Sequence, residues 1–198
     1  MFSKYDVYTT TQSIYCYPGT NVLKNKLNIK DNKLLKTAEE EITLIKQMEL
    51  LKNPIKGNFS KSHLMNIHKF IFEDIYPFAG KIRREQISKA DTVFYPPNLI
   101  DRELDKVFDK IKEKNMLKEF DEKKIFDNLA YVMAELNIIH PFREGNGRSI
   151  REFIRLMAKR VGCDLNWGNI EKEKLLEASI LSVDNYKVLI AILDTCVD

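Results

Sequence analysis

Apolar residues recur at threes and fours along nearly the whole of this chain. Glycine and proline, which interrupt helices, number only seven and six in 198 positions. Residues 31–51 place Leu34, Leu35, Ala38, Ile42, Ile45 and Met48 on one side, with Asp31 or Asn32 as the N-cap. Residues 60–75 repeat the pattern through Leu64, Ile67, Phe70 and Ile71 and stop near Tyr76-Pro77, since a proline disfavours helix in the residue before it. Residues 98–116 follow an Asn98 cap with Leu99, Leu104, Val107, Phe108 and Ile111. Residues 121–139 carry Ile125, Leu129, Val132, Met133 and Leu136 and deliver the chain to His140. Two more helices are expected over 169–182 and 184–196.

Residues 148–161 divide most cleanly. Arg148, Arg151, Arg155 and Lys159 form one stripe at about 100° per residue, and Ile150, Phe153, Ile154, Met157 and Val161 lie opposite. One segment departs from helix. Residues 87–95 end in β-favouring residues before Pro96-Pro97, which predicts a hairpin turning at Ala90-Asp91. With no third strand to join, it is an exposed flap. The fold class is all-α with one short β-hairpin flap. The length suits a single domain over residues 1–198, and no repeat or low-complexity linker divides it.

Composition excludes several function classes. The 32 basic and 29 acidic residues leave a net charge of +3, too weak for nucleic-acid binding by bulk electrostatics. No apolar run approaches the ~18 residues of a membrane span, and the N-terminus lacks a signal-peptide pattern. Cys16, Cys163 and Cys196 are widely spaced, which argues against a disulfide framework or zinc site and for a reducing compartment. A soluble protein, cytoplasmic where it is made, with no membrane and no nucleic-acid partner, is expected.

The chemistry concentrates in residues 140–151, His-Pro-Phe-Arg-Glu-Gly-Asn-Gly-Arg-Ser-Ile-Arg. Gly145, Asn146 and Gly147 let the backbone approach a ligand closely, and the helix that follows offers outward N–H groups to an anion. Arg148 and Arg151 sit in the first turn of that helix, where the dipole opposes cations; a bound phosphate compensates. Glu144 beside phosphates calls for a bridging divalent cation, with Mg²⁺ the usual choice. His140, as a neutral imidazole, can take a proton from an attacking hydroxyl. Phe142 anchors the loop in the core.

Taken singly, each feature has an ordinary explanation. A lone histidine is usually structural, and His63 and His68 are read so. A Gly-Asn-Gly run is usually a turn. A basic stripe is usually a solvated face, and Arg155 and Lys159 are assigned to one. The joint occurrence of these groups within twelve residues at a helix–loop–helix junction favours a site.

These residues resemble the signature of the Fic domain family, H-x-F-x-[DE]-G-N-G-R-x-x-R, at every specified position. Residues 15–26 are similar to the N-terminal segment of Fic proteins that include secreted bacterial effectors, residues 76–83 to the segment ahead of the flap, and residues 87–95 to the flap. The resemblance implies a Fic-type helical bundle and a protein adenylyltransferase that moves AMP from ATP to a Tyr, Ser or Thr hydroxyl of a target protein, releasing pyrophosphate, with auto-AMPylation also open to it. It implies that His140 deprotonates the hydroxyl and Glu144 holds Mg²⁺. It further implies that Gly145, Asn146 and Gly147 form the anion hole and that Arg148 and Arg151 clamp the β- and γ-phosphates. The flap would bind the target by strand addition, with Lys89, Asp91 and Thr92 near the nucleotide.

The phosphorylating branch, resembling the death-on-curing toxin, has Lys in place of Gly147 and lacks the first glycine, so Gly145 and Gly147 favour AMP transfer. Transfer of UMP, phosphocholine or a phosphoryl group on the same scaffold stays open. The family's inhibitory helix reads [ST]-x-x-x-E-[GN]; Thr37 to Glu41 is followed by Ile42 instead and is read as a chance match on a core helix. The same resemblance leaves two alternatives, a constitutively active chain or one restrained by a separate antitoxin-like protein anchored on Arg151, and it leaves delivery to a host cell as an effector open. A DNA-binding helix-turn-helix using the basic stripe, or an inactive Fic-like interaction surface, are the non-enzymatic rivals. The stripe alone explains neither His140, Glu144 nor the paired glycines.

Overall fold

Asp31 starts the first helix by accepting a hydrogen bond from the Leu34 N–H at 2.8 Å. In the computed structural model, which describes residues 12–89, 92–117 and 122–197, helix α1 spans Asn32–Lys52 and α2 spans Lys61–Phe72. The hairpin β1 (Ser88–Lys89) and β2 (Thr92–Val93) follows, then α3 (Pro97–Glu113), α4 (Glu122–Ile139) and α5 (Asn146–Arg160). A short 3₁₀ turn (Trp167–Asn169) leads to α6 (Lys172–Leu181) and α7 (Val188–Thr195). The expected all-α architecture with one hairpin is what forms. Among the described residues no helix is long and apolar enough to cross a membrane.

Helix α5 packs against α2 and α4, and α7 packs on α4. Phe153 of α5 is fully buried and meets Phe59 and Phe108 edge-on, with ring centroids 5.8 and 5.9 Å away. Leu64, Ile67 and Ile71 of α2, with Val132, Met133 and Leu136 of α4, close the core around it. The basic stripe expected on α5 is only partly solvated. Arg155 is buried and forked onto Glu152 at 2.8 Å through both Nε and Nη2. A buried guanidinium needs such a partner, and the i, i+3 spacing supplies it. Lys159 is exposed, as expected.

Several boundaries and one face differ from the sequence-based reading; α6 and α7, for instance, start at Lys172 and Val188, later than the expected 169 and 184. Helix α3 starts at Pro97 with Pro96 as its N-cap, not behind Asn98; a proline fits the first turn, where its missing N–H has no helical partner to lose. Helix α2 ends at Phe72, and tight turns carry the chain to Tyr76 through Ile75 and Tyr76 N–H bonds to Phe72 O. Helix α5 begins at Asn146, two residues before Arg148. The face of α1 is the larger correction. Leu34, Ile45 and Met48, expected in the core, are each more than half exposed. The helix instead turns inward the line Leu35, Glu39, Thr43 and Leu50. Its inward polar groups have partners on α5, which decides the orientation.

Candidate active site at the α4–α5 junction

Helix α4 gives way to the loop at His140, whose backbone is left-handed at φ +49°, an uncommon conformation for a residue with a side chain. Its N–H still closes the last helical turn onto Leu136 O at 3.0 Å. The half-buried ring has Nδ1 3.0 Å from Asn137 O. A carbonyl has no proton to give, so Nδ1 carries it and Nε2 keeps its lone pair. Phe94, just beyond β2, stacks on the imidazole with centroids 3.8 Å apart and 12° between planes. Burial pushes the His140 pKa down to about 3, with Lys89 and Arg83 adding to the effect. The ring is therefore neutral at pH 7.

The loop after His140 is held from beneath. Phe142 is fully buried and stacks on His68 at 3.8 Å. His68 accepts from Gly80 N–H at 2.8 Å through Nδ1, so Nε2 is protonated and donates to Glu144 O at 2.9 Å. The Asn146 side chain turns into the loop: Oδ1 accepts from Phe142 N–H and Nδ2 donates to Phe142 O, both at 2.8 Å. What Asn146 offers a ligand is thus its backbone N–H, at the first position of α5. Gly145 has φ +79°, and a Cβ there would lie 2.1 Å from the buried Phe72 ring. Only glycine meets both conditions. At Gly147 a Cβ would sit 3.1 Å from Arg151 Nη1, so the Arg151 guanidinium lies across that glycine.

The two arginines expected in the first turn of α5 have different places and surroundings: because the helix already starts at Asn146, Arg148 is in its first turn and Arg151 in its second. Arg148 Nη1 donates to Thr43 Oγ1 at 3.0 Å, and Nη2 pairs with Glu39 and approaches Glu144 Oε1 at 3.6 Å. Its guanidinium lies over the Phe72 ring, 4.7 Å from the centroid. Glu39 also accepts from Tyr76 Oη. Burial works against the charge on Arg148, yet Glu39 and Glu144 hold its pKa above the ordinary value. Burial raises the Glu39 carboxyl as well; Arg148 pulls it back down and Glu144 pushes it further up. Arg151 has no carboxylate partner among the described residues. Burial and the neighbouring Arg148 depress its pKa to about 10. Of the two, Arg151 is the cation left with charge to be balanced.

Glu144 is partly exposed, with Oε1 accepting from its neighbour Gly145 N–H at 2.8 Å. Among the described residues no group of three acidic, histidine or cysteine side chains forms a metal cage. A lone carboxylate fits Mg²⁺ well, because that ion is commonly held by one or two carboxylates together with substrate phosphates. Above His140 the hairpin pairs Ser88 with Val93 and Lys89 with Thr92, antiparallel. Lys89 is exposed and Thr92 half-buried. Asp91 lies outside the described residues. Thr37 and Glu41 are exposed on α1, and it is Glu39, between them, that reaches the loop arginine.

Residues 58–158 match the Fic/DOC family. The chain belongs to that family. It is 35% identical over 175 residues to the protein adenylyltransferase VbhT of Bartonella schoenbuchensis, a match covering 88% of this chain and 37% of VbhT. The chain thus spans little more than a third of VbhT's length. It is 32% identical over 165 residues to the probable protein adenylyltransferase Fic of Escherichia coli, covering 83% of this chain and 82% of that protein. The crystal structure of the BepC effector of Bartonella tribocorum with bound AMPPNP superposes with a TM-score of 0.83 at 25% identity, over 93% of this chain and 96% of that one.

Sequence patterns pointed to the Fic loop and to segments 76–83 and 87–95, but they gave no individual role to Tyr76, Arg83 or Phe94 and did not single out Glu39 or Thr43. Each is a single polar or aromatic residue, Glu39 and Thr43 on α1 and the others in the connections around the flap. Only the folded chain brings them to the loop.

Proposed function

We infer that the chain is a protein adenylyltransferase that uses His140 as its base. The observation that carries this is the pairing of an imidazole with a free Nε2 lone pair and the glycine-lined N-terminus of α5, across which Arg151 lies with no carboxylate partner among the described residues. The hydroxyl oxygen of a target side chain attacks the α-phosphorus of ATP and the bond to pyrophosphate breaks. The hydroxyl proton passes to His140 Nε2. The N–H groups of Asn146 and Gly147 face the phosphates, and Arg151 takes the terminal charge.

Arg148 acts mainly by fixing α1 to the loop, since its terminal nitrogens are engaged on Thr43 and Glu39. Glu144 is the residue that would hold Mg²⁺, which when bound neutralises phosphate charge. The flap receives the target chain, and Lys89 and Thr92 border the nucleotide. The likeness to the protein adenylyltransferase VbhT, to the probable protein adenylyltransferase Fic of Escherichia coli and to BepC with its bound AMPPNP supports this reading. The unbalanced Arg151 also suits the carboxylate of an inhibitory protein acting in trans. Delivery to a host cell is a second reading, favoured by the likeness to VirB-translocated effectors.

The test is to incubate the protein with ATP and Mg²⁺ and to map modified residues by mass spectrometry, while pyrophosphate is measured. Adenylylated hydroxyls with stoichiometric pyrophosphate, both absent in H140A, are expected. Pyrophosphate release that persists in H140A would remove the histidine from the proposed role.

A further inference from the structure

Among the described residues Arg83 is the largest fully buried side chain, 1% exposed, and it belongs to no helix or strand. Its Nε donates to His140 O at 2.8 Å and its Nη1 to Glu85 O at 2.7 Å. Nη2 donates to Tyr95 O at 2.5 Å and Ile139 O at 3.2 Å. Its own backbone N–H donates to Pro141 O at 2.8 Å. One guanidinium therefore grips three places at once: the end of α4, the stem entering the flap at Glu85 and the stem leaving it at Tyr95.

The chemistry suits the site. The last carbonyls of a helix have no helical partner and carry the negative end of its dipole, so a buried cation is stabilised there. The planar fork supplies five donors in fixed directions, which a lysine ammonium cannot. The carbonyl that Nε holds belongs to His140, whose left-handed backbone needs an external restraint. The Phe94 ring, one residue before Tyr95, is the one stacked on the imidazole. Tyr95 N–H adds a bond to Ile138 O at 3.3 Å.

We propose that Arg83 is a positioning residue that sets the flap at a fixed height and register over His140, so that a chain lying on the flap presents its hydroxyl to Nε2. It acts through the backbone and touches neither nucleotide nor hydroxyl. The inference rests on the adenylyltransferase reading for its kinetic consequence but not for its structural one.

The test has two arms. Native-state hydrogen exchange on the wild type needs no variant: the amides of Arg83, Tyr95 and His140 should share one opening transition. Independent opening of the three would overturn the strut. In the second arm, R83K keeps the charge and loses the fork. Its ATP affinity should stay within about twofold of wild type, while kcat falls about 10- to 100-fold and flap amides exchange faster. An unchanged kcat, or equal losses in ATP binding and kcat with flap exchange unaltered, would refute the proposal. If R83K does not fold, the wild-type exchange decides. If the wild type transfers no AMP, the functional reading fails and the exchange arm still judges the strut.

Discussion

His140 combines three constraints: a left-handed backbone, a ring pressed against Phe94, and a proton fixed on Nδ1 by Asn137 O. Together they leave one nitrogen with one task. H140A should lower AMP transfer roughly 100- to 10,000-fold while ATP binding, measured by calorimetry, persists. Simultaneous loss of ATP binding would mean that the ring supports the phosphate site instead. The two glycines separate stability from binding in the same way. A methyl at Gly145 overlaps the ring of Phe72 and strains a positive φ, so G145A should cost about 1–3 kcal/mol in chemical denaturation. At Gly147 the neighbour is the movable end of Arg151. G147A should leave stability within about 0.5 kcal/mol and weaken ATP binding.

Among the elements, α1 shows where sequence periodicity misled and why. Its apolar residues at threes and fours predicted an inward stripe through Leu34, Ile45 and Met48, yet these face out. The inward positions 39 and 43 hold a carboxylate and a hydroxyl, because their partner is the guanidinium of Arg148. A hydropathy pattern cannot weigh a polar contact made with a residue more than a hundred positions away. Helices α4 and α5 were legible because their buried faces are apolar and their junction carries a dense motif. The flap was legible from β-favouring residues ending at two prolines. Arg83, His68 and Asn146 escaped as supports because each serves backbone carbonyls and amides, which leave no trace in side-chain patterning.

The account of α1 makes a paired prediction. E39Q removes the nearer of the two carboxylates beside a buried guanidinium and should cost roughly 3 kcal/mol in urea unfolding. M48S on the outer face should change stability by no more than about 0.5 kcal/mol. Equal effects would contradict the assigned orientation.

Across the whole molecule, the site and the core are one structure. His68 lies between the rings of Phe142 and Phe72 and bonds the loop at Glu144 O. Burial lowers its pKa to about 4, so the folded protein resists protonation that the unfolded chain accepts near the ordinary 6.5. His140 is depressed in the same direction. Between pH 6.5 and 4 the unfolded state binds more protons, and stability must fall as pH falls. The contribution of His68 is on the order of 3 kcal/mol, fully present above pH 6.5. Urea titrations at steps from pH 7 to pH 4 should trace this loss, with a shallower slope in H140A. A flat profile would mean that neither ring is buried in the neutral form.

The central claim is that His140 and the α5 N-terminus together transfer AMP, and separately labelled ATP tests it most directly. Wild-type protein and H140A are incubated with Mg²⁺ and ATP carrying label on the α- or the γ-phosphate. Label on protein from α-labelled ATP alone, and absent in H140A, is the predicted result. Label from the γ position would contradict the account, for it would mean that the nucleotide lies reversed across Gly147 and that the chain transfers a phosphoryl group.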